Sequence, residues 1–180
     1  MAGAALTTPY QVQKPDLMFM ENYLVKTSEV INYGDLVGVD TNGLVVNASK
    51  TASAIVVPRG VAIAIANDAA TSGTANSTQT SVTGDGTIRV GIARMATITR
   101  QGTALNTTIV PGLAKGAAVY LGAIGTSTVS NYTCTKTTTN GDALLQVGWV
   151  TADGLSLEIG PFDTTFLNYQ TAGNSVVGSL

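Results

Sequence analysis

The chain has 180 residues, a net charge of −2 at pH 7, no histidine and one cysteine, and 11% of its residues are charged. This length supports one β-barrel or sandwich or, at most, two very small lobes. Because the chain has no histidine, it lacks the residue on which hydrolase triads, the usual zinc sites and most acid–base catalysis depend. The nine cations are scattered singly, whereas a phosphate-binding face needs clustered Lys and Arg, so we expect no nucleic-acid partner.

The composition favours β-structure with a surface rich in hydroxyl groups. Threonine occurs 27 times, and because it is β-branched it favours a pleated, half-exposed surface over a helix. Isolated soluble domains usually carry more surface charge than this chain does. The composition therefore indicates that part of the surface is covered by other subunits of an assembly.

Residues 1–29 differ from the rest of the chain. Pro9 and Pro15 push the residues before them toward extended geometry. An apolar knot follows, formed by Leu17, Met18, Phe19 and Met20. We predict an N-terminal arm over residues 1–29, held by this knot against the chain's own core or against a neighbouring subunit. The first residues lack the charged and long apolar regions of a signal peptide, so we expect a protein that is used without secretion.

A short module recurs from residue 30 to about residue 160: a glycine, a few alternating apolar residues, and a polar break marked by glycine. The examples are Gly34-Asp-Leu-Val-Gly-Val, Gly60-Val-Ala-Ile-Ala-Ile, Gly86-Thr-Ile-Arg-Val-Gly-Ile-Ala, Gly116-Ala-Ala-Val-Tyr-Leu-Gly, Leu145-Gln-Val-Gly-Trp-Val and Leu155-Ser-Leu-Glu-Ile-Gly. Each run has the length of a strand, and each break consists of turn residues. The pattern predicts a meander of strands over residues 30–160.

Four Asn-Gly or Asp-Gly pairs predict tight hairpin turns, because these pairs tolerate the positive φ of type I′ turns. They begin at Asn42, Asp85, Asn140 and Asp153. The stretch over residues 67–83 is polar and has little periodicity. It predicts a long surface loop with a short strand at its end.

Two apolar stretches allow sharper predictions. The most apolar one, Ala52–Ala66, is interrupted by Pro58-Arg59-Gly60, so it cannot span a membrane and no membrane partner is expected. The run Thr87–Ile98 has apolar residues at both parities, which predicts burial on both faces or a bulge at Gly91. Strand parity predicts a core containing Val37, Val39, Ile63, Ile65, Val90, Ile92, Val119, Leu121, Val147 and Trp149.

Residues 161–180 return to the character of an arm, with apolar islands at Phe162, Phe166, Leu167 and Tyr169 in a polar tail. The predicted fold is therefore all-β: a compact β-barrel or β-sandwich domain over residues 30–160 with extended N- and C-terminal arms. The two halves of this domain also echo each other, because the glycine and valine spacing after Gly34 and Gly60 resembles that around Gly116 and Gly148. A duplicated β-unit and generic β-patterning both explain this echo.

Few residues could carry chemistry. Asp35 and Asp40 flank one predicted strand, and Asp85 and Asp142 lie in other turns. Asp close to Gly is normally turn chemistry, so a glycosidase-like carboxylate pair is not expected. Cys134 stands alone and has no histidine to activate it. No loop shows the alternating Asp and Asn ligands of a calcium site, and we expect no enzyme activity, no metal and no cofactor.

Several aromatic side chains suggest a sugar-binding platform as an alternative: Tyr23, Tyr33, Tyr120, Tyr132 and Trp149. They are spread over different segments, and Trp149 lies in one of the most apolar strands. Packing in the core or at an interface is the preferred interpretation.

The runs that begin at Gly34, Gly60, Gly86 and Gly116 resemble, in this order, the head decoration (capsid cement) proteins of tailed bacteriophages. The resemblance covers about residues 30–160. It implies a structural virion protein on the outer capsid surface, made in the host cytoplasm and commonly a homotrimer, that ties neighbouring major capsid protein subunits together. The contacts to the capsid and to other subunits would then come from the arms, through Leu17, Met18, Phe19, Met20, Phe166, Leu167 and Tyr169.

Other interpretations stay open beside this resemblance. One is another phage structural component, such as a tail or minor capsid protein. A second, from a different class, is a carbohydrate-binding β-module. An enzyme is the least favoured, because the usual catalytic residues are almost missing.

Overall fold

The computed structural model describes residues 10–13, 15, 21–67, 81–100, 104–125, 130–162, 169–171 and 174–178. Within these ranges the chain forms strands and turns and no helix, so the predicted all-β fold is confirmed. The strands are β1 (Tyr10–Gln13), β2 (Glu21–Leu24), β3 (Val30–Asn32), β4 (Leu36–Val39), β5 (Val45–Asn47), β6 (Gly60–Asn67), β7 (Ser81–Thr83), β8 (Ile88–Ala93), β9 (Ala96–Arg100), β10 (Ala118–Leu121), β11 (Tyr132–Thr133), β12 (Ala143–Leu144), β13 (Gln146–Val150), β14 (Leu157–Ile159), β15 (Tyr169–Thr171) and β16 (Asn174–Gly178).

Two antiparallel sheets form the body of the molecule. Sheet A has six strands in the order β1-β9-β14-β13-β10-β11, and sheet B has five strands in the order β2-β8-β6-β4-β5. Two smaller sheets, β3-β7 and β12-β15-β16, accompany them. Sheet B is thus built from residues 21–93, whereas sheet A combines β1 with strands from residues 96–159.

The two large sheets contain the same unit twice. Unit 1 consists of β2, β4, β5, β6 and β8, and unit 2 consists of β9, β10, β11, β13 and β14. Their strand orders, β2-β8-β6-β4-β5 and β9-β14-β13-β10-β11, correspond position by position. The registers also agree, because Val37 pairs with Gly60 in unit 1 and Val119 pairs with Gly148 in unit 2. A duplicated β-unit therefore explains the echo in the sequence.

Unit 1 closes on itself at its two outer strands. Just after β2, the Val25 amide donates to the Ile88 carbonyl (2.9 Å) and the Lys26 amide donates to the Val45 carbonyl of β5 (3.0 Å). The second bond, together with a parallel bridge between Val25 and Val45, connects the two ends of sheet B, so that unit 1 curls on itself in the manner of a small barrel. The barrel interior is an apolar cluster of Val25, Ile31, Val37, Val45, Ala62, Val82, Val90 and Ile92.

The outer strand of unit 2 is covered in a similar manner. The Ser130 amide donates to the Ile109 carbonyl (3.3 Å), and the Cys134 amide donates to the Pro111 carbonyl (2.8 Å). The segment 109–111 therefore runs along the edge next to β11. On the opposite side of unit 2, β1 pairs with β9 and adds a strand. The cover at β11 limits pairing of that edge with other chains.

The larger core lies between the two units. The inner face of unit 2 packs on Leu36, Val61, Ile63 and Ala93 of unit 1. The central strands of unit 1 carry the barrel interior on their other face, so both parities of β4, β6 and β8 are buried. Burial on both faces, which was predicted for the run that contains β8, is confirmed. The pairing of β6 with β8 is irregular next to Gly91, but the extra residue lies in β6, between Ala62 and Ala64.

Most predicted core side chains are buried: Val37, Ile63, Val90, Ile92, Val119, Leu121 and Val147. Val39 is half-buried, and the side chain of Ile65 lies outside the described residues. The prediction for Trp149 is wrong, because this residue is 54% exposed.

A bulge in β13 explains the position of Trp149. Val119 pairs with Gly148 while the next residue, Tyr120, pairs with Gln146, so Val147 is an extra residue in β13. One extra residue reverses the face to which the following side chains point. Val147 and Val150 are therefore both buried in the core between the units, and Trp149 faces outward.

Two of the four predicted hairpin turns join paired strands. Gly43 lies between β4 and β5, and Gly154 lies between β13 and β14, both with a φ of +79°. Gly86 and Gly141 also have the predicted positive φ, +92° and +84°. The hairpins predicted there are wrong, because β7 pairs with β3 and β12 pairs with β15. The short strand expected at the end of the 67–83 loop is β7, and residues 68–80 lie outside the described residues.

The described part of the predicted N-terminal arm belongs to the sheets. β1 pairs with β9, β2 pairs with β8, and Tyr10 is 3% exposed in the core between the units. These partners are distant in sequence, so the pattern of residues 1–29 alone did not reveal the pairing. The knot residues Leu17, Met18, Phe19 and Met20 lie outside the described residues.

The predicted C-terminal arm begins inside the same core. Phe162 is 7% exposed, and its amide donates to the Arg94 carbonyl (2.9 Å). Tyr169 starts β15, which pairs with β12 and β16, but only its backbone is described. Phe166 and Leu167 lie outside the described residues.

Candidate interaction surface

Unit 2 presents one face of sheet A to solvent. A single row of paired residues crosses this face over five strands, in the order Ala118 (β10), Trp149 (β13), Glu158 (β14), Thr97 (β9) and Gln13 (β1). Trp149, Glu158 and Gln13 are exposed, and the other two residues are half-buried. The indole ring therefore lies within an open strip of mostly polar side chains.

The neighbouring row adds an amide and a second aromatic ring. Gln146 is exposed and pairs with Tyr120. The ammonium group of Lys136 lies 5.9 Å from the centre of the Tyr120 ring, a cation–π contact. Glu158 is the one charged residue of the first row, and it makes no ion pair within the described ranges. We call this surface, with its two rows, the Trp149 face.

The equivalent row of unit 1 is buried. By the shared register, the positions of Ala118, Trp149 and Glu158 are taken in unit 1 by Leu36, Val61 and Ala93. The three residues of unit 1 are 0% exposed because unit 2 packs on them. The same surface of the fold is therefore a packing face in unit 1 and a solvent-facing surface in unit 2.

The Gly34-Asp35 turn joins the two units. The Asp35 carboxylate accepts hydrogen bonds from the backbone and side-chain amides of Asn32, both at 2.9 Å. From unit 2, the Tyr132 hydroxyl donates to the Gly34 carbonyl (2.7 Å), and the Asn131 side chain accepts a hydrogen bond from the Leu36 amide (3.2 Å). Burial raises the pKa of Asp35 to about 7. The Asp35 carboxyl group therefore has a structural role, since it stabilises the turn at the junction of the two units.

The other candidate groups also have structural environments. Asp40 accepts hydrogen bonds from the amides of Asn42 and Leu44 and so stabilises the β4–β5 turn. Asp85 accepts a hydrogen bond from the Thr87 amide (2.8 Å). These are the turn roles that the sequence predicted for both aspartates. Burial raises the pKa of the half-buried Cys134 thiol, which favours its protonated form.

A pocket of about 500 Å³ lies beside β11. Its lining includes Ser130, Thr133, Thr135, Lys50 and Lys136. Both lysines have partners, because Lys50 Nζ lies 3.4 Å from a carboxylate oxygen of Asp142 and Lys136 contacts an aromatic ring. The pocket therefore does not offer a strong anion site.

The side chains of the predicted contact residues all lie outside the part of the chain that the structure describes, so this site stays a prediction. Leu17, Met18, Phe19, Met20, Phe166 and Leu167 lie outside the described residues, and Tyr169 is described by its backbone alone. Trp149, which the sequence placed in the core, is the residue that the structure exposes. Gly148 was the signal for this, because a glycine inside a strand often marks a bulge.

The described ranges contain no group of three or more His, Cys, Asp or Glu side chains that could hold a metal ion. They also contain no helix with the length and apolar character needed to cross a membrane. No protein-family model, no curated protein and no solved structure matches this chain. Its function is therefore inferred from its own residues, fold and surface.

Proposed function

We propose that the chain is a structural virion protein that decorates the outer surface of a tailed-phage capsid and stabilises it by bridging major capsid protein subunits. The observation that carries this proposal is the position in the fold of the runs that resemble head decoration proteins. The runs beginning at Gly34, Gly86 and Gly116 contain β4, β8 and β10, respectively, and the run beginning at Gly60 forms most of β6. The resemblance therefore concerns the strands that build both units.

The physical character of the module supports this role. The outer strands of unit 1 are joined to each other, and β11 of unit 2 is covered by the segment 109–111, which limits uncontrolled strand pairing. Because only 11% of the residues are charged, many copies on one lattice bring few like charges together. A protein that binds the assembled lattice and not the free capsid subunit stabilises the lattice by mass action.

The attachment to the capsid is assigned to the terminal segments. Tyr10 and Phe162 fix the described parts of both segments in the core between the units. The contacts to the major capsid protein, and to other copies in a homotrimer, then come from the apolar residues Leu17, Met18, Phe19, Met20, Phe166, Leu167 and Tyr169. Apolar groups of this kind form the centre of stable interfaces.

Co-sedimentation with capsids that lack this protein tests the assignment. The double variant Leu17→Ser/Phe19→Ser removes two apolar side chains from the knot, and Val57→Ser, at a position that is 43% exposed, is the matched control elsewhere on the surface. We expect the double variant to bind capsids at least tenfold more weakly, while the control binds like the parent. Equal binding of the double variant and the parent would contradict the attachment, and a parent that does not bind would contradict the function.

A further inference from the structure

We propose that the Trp149 face binds a neutral carbohydrate, an activity that goes beyond capsid decoration. A pyranose ring has an apolar face of C–H groups and a rim of hydroxyls. The Trp149 face offers a match for both, since it has an accessible indole ring and a set of amide, hydroxyl and carboxylate groups around it.

The indole ring is accessible from the solvent side of sheet A. Trp149 is 54% exposed, and its partner on β10 is Ala118, whose methyl group is too small to cover the ring. Its partner on β14 is Glu158. Directly opposed residues of antiparallel strands lie about 4.5–5.5 Å apart at Cβ. A sugar stacked on the indole would therefore have the Glu158 carboxylate within reach of its hydroxyls.

The polar groups of the face suit a ligand that both donates and accepts hydrogen bonds. The Glu158 carboxylate accepts, whereas the side chains of Thr97, Gln13 and Gln146 can donate and accept. Thr97 and Gln13 continue the row beyond Glu158, and Gln146 lies on the same strand as the indole ring. The hydrogen-bonding groups therefore form a row that runs across the strands. This row is long enough to contact more than one sugar residue.

The charge of the face selects a neutral ligand. The first row carries the Glu158 carboxylate and no cation, and the nearby Lys136 ammonium lies over the Tyr120 ring. A phosphate group or a nucleic-acid strand would meet an unpaired negative charge there. A neutral glycan meets no such repulsion, and a carboxylate makes stronger hydrogen bonds to its hydroxyls than a neutral acceptor would.

The comparison of the two units distinguishes a sugar from a protein partner. In unit 1 the equivalent row is entirely apolar, with Val61 between Leu36 and Ala93, and a β-unit of protein packs on it. Protein interfaces place their tryptophan anchors among well-packed, desolvated neighbours. In unit 2 the tryptophan has an exposed carboxylate and hydrogen-bonding side chains beside it instead. The occupant that fits this row is polar.

Intrinsic fluorescence gives a direct test, because Trp149 is the single tryptophan of the chain. The full chain is titrated with neutral hexasaccharides of glucose, mannose and N-acetylglucosamine, and at least one should give a saturable change in emission. Isothermal titration calorimetry with that sugar then compares Trp149→Ala and Glu158→Gln with the control Val57→Ala. We expect Trp149→Ala to lower the affinity at least tenfold, Glu158→Gln to lower it severalfold, and the control to bind like the parent.

Three results would overturn the proposal. Two come from the sugar titrations: no saturable binding of any of the three sugars, or binding that Trp149→Ala leaves unchanged. A Trp149→Ala variant that loses capsid co-sedimentation would also overturn it, because the face would then be a protein-docking surface. A thermal melt of each variant confirms that it is folded. Capsid binding by the parent chain is measured separately, so the failure of either proposal is distinguishable from the failure of the other.

Discussion

At the scale of single residues, burial decides what a polar group does in this protein. Asp35 is 3% exposed at the junction of the two units. Desolvation raises its pKa from 3.8 to about 7, although the hydrogen bonds from Asn32 oppose that shift. The folded state therefore binds a proton at this carboxyl group more tightly than the unfolded chain does.

We expect the free energy of unfolding to fall as the pH rises from 5 to 8. Because the folded pKa is the higher one, the stabilisation by proton binding is complete below the unfolded value of 3.8 and is lost as the pH rises through about 7. For this shift the loss between pH 5 and pH 8 is about 2–3 kcal/mol. Urea denaturation at both pH values measures it, with Asp35→Asn as the variant that lacks this titration. An identical pH dependence in the two proteins would refute the assignment.

Val61 and Trp149 occupy equivalent positions, and we expect alanine substitution to lower stability much more at Val61 than at Trp149. Val61 is 0% exposed, so Val61→Ala should lower the free energy of unfolding by about 2 kcal/mol. Trp149 is 54% exposed, so Trp149→Ala should change it by less than about 1 kcal/mol. Thermal melts of both variants decide the matter, and a large loss for Trp149→Ala would place the ring in a core.

At the scale of the elements, the sequence predicts where strands lie much better than which strands pair. Alternating apolar residues identify β4, β6, β8, β10, β13 and β14, because each has one or two buried faces. The pairing of β1 with β9 depends on residues about 90 positions apart, which local patterns do not contain. The extra residue Val147 reverses the parity of β13, so strict alternation misplaced Trp149 and with it the candidate site.

Two glycines at equivalent strand positions test the register of the two units. A Cβ added at Gly60 would press on the Ala93 carbonyl oxygen, and one added at Gly148 would press on the Glu158 carbonyl oxygen. Gly116 is the control, because it has a positive φ (+68°) but open space around it. We expect Gly116→Ala to cost about 1–2 kcal/mol and both strand variants to lower the melting temperature further. A smaller loss for the strand variants than for the control would argue against this packing.

At the scale of the whole molecule, the predicted all-β body is correct, and the echo between its halves corresponds to two units of one strand order. The way in which the units pack was not predictable, because it depends on long-range contacts such as Tyr132 with the Gly34 carbonyl. Tyr10 of β1 and Phe162 also pack in the core between the units. The domain and the terminal segments are therefore joined more closely than the sequence indicated.

Truncation at the N-terminus tests this joining. Removal of residues 1–13 deletes β1 and with it Tyr10, whose ring packs edge-to-face on Tyr132 with 5.8 Å between the ring centres. We expect this truncation to cost about 3–5 kcal/mol, as for the loss of a buried aromatic side chain. Removal of residues 1–9 keeps β1 and should cost much less. If both truncated chains melt at the same temperature, β1 does not contribute to the core.

The measurement that tests the central claim most directly is co-sedimentation of the full chain with tailed-phage capsids assembled without it, followed by a thermal melt of the decorated capsids. We predict saturable binding with a fixed number of copies per capsid and a higher melting temperature of the capsid, because a ligand of the assembled lattice stabilises that lattice. A chain that remains in the supernatant at every concentration, or capsids whose melting temperature it does not change, would contradict the account.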